Sequence, residues 1–161
     1  MSNWRSHPKL ASRLQPERGD DLEVIIHDGD PPLCGRPGEV AWVRIVGVDG
    51  DVFRAMVLTQ PTQLKSVTKH EEILFIVPSG GKYPIQVRPA YLAERATWRL
   101  LLPCGECGLT ELFSPPSEIA AHSFPHLFRD GVLLPGSMFT TRCGYCGGPL
   151  VVRVKRAKLG A

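Results

Sequence analysis

The chain has 161 residues, of which 43% are hydrophobic and 22% are charged, and its formal net charge is +3. That length suits one medium domain or two small ones, and it is enough to bury a core without disulfides. The longest apolar run, residues 73–77, is far too short to cross a bilayer, so the pattern excludes a membrane-spanning helix. The net charge is too small to indicate nucleic-acid binding on its own.

The first residues and the cysteines together indicate a reducing environment. Residues 1–8 contain no apolar core of the kind found in secretory signal peptides, so we expect a cytoplasmic protein. Five cysteines are present, and four of them form two Cys-x-x-Cys pairs that leave Cys34 alone. In a reducing compartment such pairs are metal ligands more often than disulfides.

The N-terminal half begins with cations and continues as a series of short apolar runs. Residues 1–16 contain Arg5, Lys9 and Arg13 and no acid, and we interpret residues 1–19 as a flexible basic tail. Strands are predicted at residues 22–26, 40–48, 52–59, 73–77 and 84–87. Asp49-Gly50 predicts a hairpin between the second and third of these strands, because a type I′ turn needs positive φ at both central residues. Residues 89–94 are predicted to form a helical turn.

These strands, joined by turns rich in Gly and Pro, predict a small β-barrel or rolled sheet over residues 20–95. The run from Val40 to Arg44, the Asp-Gly hairpin and residues 57–61 resemble the middle of small SH3-like barrels in uncharacterised bacterial families. The resemblance implies a fold but no particular function.

Residues 96–161 contain both cysteine pairs. Residues 97–102 lead into the first pair as a strand, and residues 109–113 are predicted to leave it as another. The second pair lies between strands predicted at residues 138–142 and 150–154. Between the pairs, a helical insertion is predicted at about 114–126, with Ser114 as the N-cap and a proline at the first helical position.

The two cysteine pairs have matching neighbours. Cys104-Gly-Glu-Cys107-Gly and Cys143-Gly-Tyr-Cys146-Gly share their cysteine spacing and two glycine positions. Two intervening residues allow one tight turn, a knuckle, to direct both sulfurs at a metal ion about 2.3 Å away. Glycine supplies positive φ beside the sulfurs, and N–H groups of the turn can then point at the thiolates. We therefore predict one tetrahedral four-thiolate site, closed and structural rather than catalytic.

This pattern resembles the zinc-ribbon superfamily over residues 97–156, which implies a structural Zn²⁺ ion. Residues 108–142 separate the two pairs, a longer stretch than the about 15–20 residues that are common, and the helical insertion accounts for the difference. Rubredoxin-like iron sites use the same knuckles, so iron stays open beside zinc. A thioredoxin-like redox pair would need a βαβ context, which neither pair has.

Other polar residues carry weaker signals. Cys34 would be a reactive thiol if His27 or His70 acted as its base, since nucleophilic cysteine chemistry needs such a pair. Nothing in the sequence places either histidine beside it, and we expect a non-enzyme. His122 and His126 are four residues apart, but a proline between them breaks the helix face that two metal-binding imidazoles would share.

A surface that is basic and carries an aromatic ring is predicted on the second half. Tyr145 lies at the tip of the second knuckle, and several cations surround that knuckle or follow the last strand. The candidate surface for a partner or for nucleic acid consists of Tyr145, Arg142, Arg153, Lys155, Arg156 and Lys158.

The sequence therefore predicts a mainly-β protein with a small SH3-like barrel or rolled sheet followed by a zinc ribbon. The functional hypothesis is a non-enzymatic adaptor or regulatory protein that binds a protein partner, with zinc stabilising the C-terminal half. A nucleic-acid-binding zinc ribbon is the alternative, and a Cys34-based thiol enzyme is a more remote one. No pattern indicates a small-molecule substrate or a membrane.

Overall fold

A computed structural model describes residues 7–10 and 21–156 of the chain. Most of the predicted N-terminal tail and the candidate surface residue Lys158 lie outside this part. The described residues 7–10 contact the first half of the protein: Leu10 is fully buried in its core, and the His7 ring packs edge-on against Phe53 at 4.9 Å. None of the helices in the described residues is long and apolar enough to cross a membrane.

The first half is a closed barrel of five strands that follow one another in chain order. The strands are β1 (Asp21–Ile26), β2 (Glu39–Asp49), β3 (Val52–Val57), β4 (Glu72–Ile76) and β5 (Ile85–Val87). Neighbouring strands are antiparallel, and β5 closes the barrel by pairing in parallel with β1. The predicted hairpin is confirmed, since Asp49 pairs with Val52. The expected type I′ turn is not formed, because the central residues are Gly50 and Asp51 and only Gly50 has a positive φ, of +60°. The five predicted strands therefore match the five observed ones.

Buried and exposed side chains alternate along the barrel strands, and the buried ones fill the barrel interior. In β3, Phe53, Ala55 and Val57 are buried while Arg54 and Met56 are exposed. The rings of Phe53 and Phe75, which face each other across β3 and β4, stack at 5.0 Å. This period of two is what a strand with one buried face requires.

The second half contains short helices and two small sheets. Its helices are α2 (Pro89–Glu94) and α3 (Pro116–Ser123), and a one-turn helix α1 (Pro31–Cys34) lies earlier, between β1 and β2. The main sheet has three antiparallel strands in the order β6 (Trp98–Leu100), β10 (Pro149–Val154), β9 (Met138–Arg142). A separate hairpin pairs β7 (Phe128–Arg129) with β8 (Val132–Leu133).

Two predictions for the segment after the first knuckle are wrong. Residues 109–113 form no strand, and their apolar side chains are buried. Ser114 is not the N-cap of α3, whose cap position is Pro115, without a side-chain cap bond. The Ser114 hydroxyl instead accepts a hydrogen bond from the Asp30 N–H at 3.0 Å. A tertiary partner from the loop after β1 has replaced the local contact expected from sequence.

The two halves share a hydrophobic core rather than packing as separate units. Ile25 and Ile85 of the barrel belong to the same buried cluster as Leu112 and Ile119 of the second half. Asp30 adds a polar connection, because its Oδ2 accepts hydrogen bonds from the N–H groups of Phe113 at 3.1 Å and Ser114 at 2.6 Å. Burial raises the pKa of Asp30 to about 7, against the opposing effect of these N–H donors.

His27 and Phe113 form the centre of this junction. Their rings stack in parallel at 4.1 Å, and His27 is fully buried. Nε2 of His27 donates to the Gln86 carbonyl at 2.7 Å, and Nδ1 accepts from the Gly29 N–H at 3.0 Å. Burial, and then the nearby Arg88 guanidinium, lower the pKa of His27 to about 3. The folded state therefore requires the neutral imidazole.

This junction makes stability sensitive to acid. The pKa of His27 lies below its ordinary value of 6.5, so its stabilising contribution is complete above pH 6.5 and is lost as pH falls toward 3. Between pH 7 and pH 5 the wild type should lose about 2 kcal/mol more unfolding free energy than His27→Gln, measured by urea denaturation. The raised pKa of Asp30 changes the free energy of unfolding with pH in the opposite direction. This change is present in both proteins, so it cancels when the two losses are subtracted.

An equal loss in the two proteins would contradict this assignment. If His27→Gln does not fold, nitrogen-15 chemical shifts of the wild-type ring supply a second measurement. At pH 5 the His27 ring should still be neutral with the proton on Nε2, and a protonated ring at that pH would be incompatible with the buried junction.

Candidate metal centre

The two knuckles lie at one end of the three-stranded sheet. Residues 104–107 follow β6, and residues 143–146 connect β9 to β10. Both turns close with the same pair of backbone hydrogen bonds. The N–H groups of Gly108 and Gly147 donate to the carbonyls of Cys104 and Cys143, at 2.8 and 2.9 Å. The N–H groups of those two cysteines donate in turn to the carbonyls of Leu109 and Gly148, at 2.9 and 2.7 Å.

The repeated glycines serve two different purposes. Gly108 and Gly147, which follow the second cysteine of each pair, have φ of +77° and +82°, so they supply the left-handed conformation predicted for the turns. Gly144 is needed for space, because a Cβ at this position would overlap the Phe113 ring. Gly105 occupies the equivalent position in the first knuckle, where a Cβ would meet nothing within 4 Å.

The four cysteine sulfurs form one compact cluster. All four Sγ atoms lie within 4.8 Å of one another, and the thiols are free. Sγ of Cys104 is 3.3 Å from Sγ of Cys146, and Sγ of Cys107 is 3.6 Å from Sγ of Cys143. Four ligands at a zinc–sulfur distance of about 2.3 Å would be about 3.8 Å apart in a tetrahedron. The cluster therefore has the dimensions of a four-coordinate metal site, and these four residues could bind a metal ion.

Burial and hydrogen bonding act in opposite directions on the thiols. Burial disfavours ionisation of Cys104, but the N–H groups of Cys107 and Glu106, with the neighbouring sulfurs, outweigh it and lower its pKa to about 7. Burial raises the pKa of Cys107, Cys143 and Cys146 to about 11, despite N–H donors to each sulfur. A cation at the centre would favour the thiolate at every position, and the N–H donors are already placed to spread the remaining negative charge.

Phe113 connects the second knuckle to the barrel, a contact that sequence reasoning missed. Its ring lies against His27 and occupies the space above both Gly144 and Gly38. The Gly38 N–H donates to the Gly144 carbonyl at 2.9 Å, so the barrel loop and the knuckle approach at the level of the backbone. In the sequence, the only indication of this contact is the glycine at positions 38 and 144, and a glycine does not show which residue packs against it.

Cys34 is not paired with a histidine in the described part of the chain. Its thiol lies 3.3 Å from the Gly29 carbonyl and 3.2 Å from the Arg36 carbonyl. Both ring nitrogens of His27 are hydrogen bonded elsewhere, and His70 is exposed. His122 and His126 are also exposed and are not part of the sulfur cluster. The arrangement expected of a thiol enzyme is therefore not formed by these residues.

The structure places two residues of the candidate surface, Tyr145 and Arg142, in the lining of one pocket beside the second knuckle. Tyr145 is half-buried and faces the barrel side, with its ring edge-on to Tyr83 at 6.2 Å. Arg142 is exposed on β9 beside the knuckle, whereas Arg153 lies toward the other end of β10. Lys155 and Arg156 are exposed just beyond β10. Tyr145 and Arg142 therefore lie beside the second knuckle, and the other three described cations lie toward the far end of β10.

The two knuckles provide a matched test of the contact with Phe113. Gly144→Ala should reduce the free energy of unfolding by about 1–3 kcal/mol, because the added methyl group has no space against the ring. Gly105→Ala is the control, since its methyl group points into open space. Thermal or urea denaturation measures both. Equal effects of the two substitutions would show that Phe113 does not lock the second knuckle.

The chain matches no protein-family model, no curated protein and no solved structure. The resemblances to zinc ribbons and SH3-like barrels accordingly rest on this chain alone, namely on four clustered cysteines and a closed five-stranded barrel.

Proposed function

We propose that this chain is a non-enzymatic zinc protein that binds a protein partner, and that the zinc ion maintains the C-terminal half in its binding form. The observation that carries the proposal is the clustering of four cysteine sulfurs within 4.8 Å. A catalytic zinc site keeps one coordination position for water or substrate, whereas four thiolates fill a tetrahedral shell. The metal would therefore act as a structural element, and function would lie on the surfaces around it.

Zinc is favoured by the chemistry of the ligands. Soft thiolates in a tetrahedral arrangement select zinc or iron among the common metals. Zinc needs no change of oxidation state, which suits a structural role in a reducing compartment such as the cytoplasm, where we place the protein. An iron site of the rubredoxin type would colour the purified protein, whereas zinc is colourless, so the absorption spectrum distinguishes the two metals.

Binding of a protein partner is supported by exposed apolar side chains on the metal-binding half. Leu102 is 76% exposed, Val132 is 64% exposed and Met138 is 52% exposed. Met138 lies opposite Arg153 and Val132 lies opposite Arg129 on neighbouring strands. Met and Arg are both enriched at protein interfaces. The assignment of the barrel to the SH3-like class belongs to the same proposal, and it is supported by the sequential order of its five closed strands.

The metal-dependent part is tested by comparing Cys143→Ser with Cys34→Ser. We expect about one equivalent of zinc by elemental analysis in the wild type and in Cys34→Ser, and far less in Cys143→Ser. A chelator should lower the melting temperature of the first two proteins. Zinc content below about half an equivalent in fresh wild-type protein, with no iron in its place, would reject the site.

The same variants test the partner. Affinity purification from the native host should recover the same protein with the wild type and with Cys34→Ser, and lose it with Cys143→Ser. Retention by the metal-free variant would show that zinc does not maintain the binding surface. Failure of the wild type to retain any protein would reject the proposed function.

Nucleic-acid binding is the second candidate, and exposed cations favour it. Arg142, Lys155 and Arg156 are exposed around the three-stranded sheet. Counterion release would make such binding strongly salt-dependent, so an oligonucleotide retained at about 50 mM salt should be released by about 200 mM. Fluorescence anisotropy with single-stranded DNA, duplex DNA and RNA measures this. No retention of any of the three at the lower salt concentration would eliminate the candidate.

A further inference from the structure

The three-stranded sheet of the metal-binding half has an outward face whose chemistry differs from the rest of the surface. Strand register separates the inward residues, such as Trp98, Phe139 and Val152, from the outward ones. The outward residues are exposed or half-buried. They are Arg99, Leu101, Met138, Thr140, Arg142, Pro149, Val151 and Arg153. We call this set the arginine face.

The cations of the arginine face are not neutralised by ion pairs within the described residues. Arg99 of β6 and Arg153 of β10 are direct cross-strand partners, and Met138 of β9 completes their row. Within residues 7–10 and 21–156, none of the three arginines on this face forms an ion pair. Like charges directly opposite each other on neighbouring strands repel. An anionic partner would relieve that repulsion, so the face is complementary to negative charge.

Apolar groups lie between the arginines. Met138 is 52% exposed, and Leu101 is 39% exposed beside the half-buried Val151. These three side chains supply area whose burial is favourable on association. The face also lacks any aromatic side chain, and base stacking on aromatic rings is what single-stranded nucleic acids require of a binding sheet. The combination fits carboxylates and aliphatic side chains better than it fits bases and phosphates.

A cleft continues the arginine face at the edge of β6. It has a volume of about 350 Å³, and Arg95, Trp98, Arg99, Pro103 and Thr110 are among the residues that line it. Arg95 is bound to Glu111 on one side, with Nη2 to Oε1 at 2.7 Å, so the acid in the cleft is already neutralised. Arg99 thus contributes to both the cleft and the arginine face. If a bound peptide placed one side chain in the cleft, its neighbouring residues would lie over the outer face of the sheet.

We propose that the arginine face and its adjoining cleft bind an acidic segment of a protein partner, in which carboxylates alternate with aliphatic side chains. Carboxylates of that segment pair with Arg99, Arg142 and Arg153, while its aliphatic groups cover Leu101 and Met138. This inference rests on the proposed function, since it identifies the surface and the chemistry through which that partner is bound.

The experiment uses the full-length zinc-loaded protein and two labelled probes. One is a synthetic peptide with repeated Glu-Glu-Leu-Leu units, and the other is the same peptide with lysine in place of glutamate. Fluorescence anisotropy at about 50 mM salt should detect binding of the acidic peptide only. The double substitution Arg99→Glu and Arg153→Glu should weaken that binding at least about tenfold. The double substitution Lys69→Glu and Arg129→Glu is the matched control, because it changes the net charge equally at two exposed residues that do not belong to the arginine face.

Each outcome decides the proposal. Equal binding by the wild type and the Arg99→Glu, Arg153→Glu double variant, or no binding of the acidic peptide, would overturn it. Binding of an oligonucleotide to the wild type in preference to the acidic peptide would overturn it in favour of phosphate recognition. A partner captured from the native host by both the wild type and the double variant would reject the arginine face and leave the proposed function standing. Capture by neither would reject both. Circular dichroism melts and zinc analysis verify that the variants are folded.

Discussion

The constraint on which the structure depends is the convergence of two distant turns at one point. Four sulfurs from two knuckles lie within 4.8 Å, although residues 108–142 separate the knuckles along the chain. Closing such a long loop costs conformational entropy, and thiolates brought together repel one another. A bound cation offsets both effects at once, which is why the folding of the C-terminal half should be coupled to metal binding. The matching backbone hydrogen bonds of the two knuckles show that each turn is built to direct its sulfurs inward.

The loop that this convergence closes is also the part that joins the barrel. Phe113 lies within it, stacked on His27 and packed against Gly144 of the second knuckle, while Asp30 binds the N–H groups of Phe113 and Ser114. Because the two halves share one core, disturbance at the metal centre should reach the barrel through the Phe113 ring, the Gly38–Gly144 backbone hydrogen bond and the Tyr145–Tyr83 contact. The buried His27 and Asp30 make this junction polar inside, and buried polar groups of this kind are stable only when their partners are in place.

A metal site whose coordination shell is filled by four thiolates has no position for a substrate, so binding would take place on the surfaces that the site stabilises. The sheet that ends at the knuckles buries one face against the shared core and leaves the other to solvent. That outer face carries exposed aliphatic groups and arginines that form no ion pair within the described residues. Such an arrangement contributes little to folding and is suited to association. Tyr145 lies at the knuckle end of this face, where it lines a pocket with Arg142 while its ring contacts Tyr83 on the barrel side. The proposed binding surface is therefore the outer face of β6, β10 and β9.

The sequence by itself determined the features that depend on near neighbours. The five barrel strands, the Asp49-Gly50 hairpin and the metal-ligand candidates follow from alternation, turn chemistry and cysteine spacing, all of which are local. Only the tertiary structure decided the features set by distant partners. The sequence predicts a strand over residues 109–113, but none forms, and the Phe113 N–H bonds to Asp30 instead. Ser114 also bonds to Asp30 and does not cap α3. Strand register, which depends on how the whole sheet packs, placed Arg99 opposite Arg153. Packing of the second knuckle against the barrel placed the Tyr145 ring beside Tyr83.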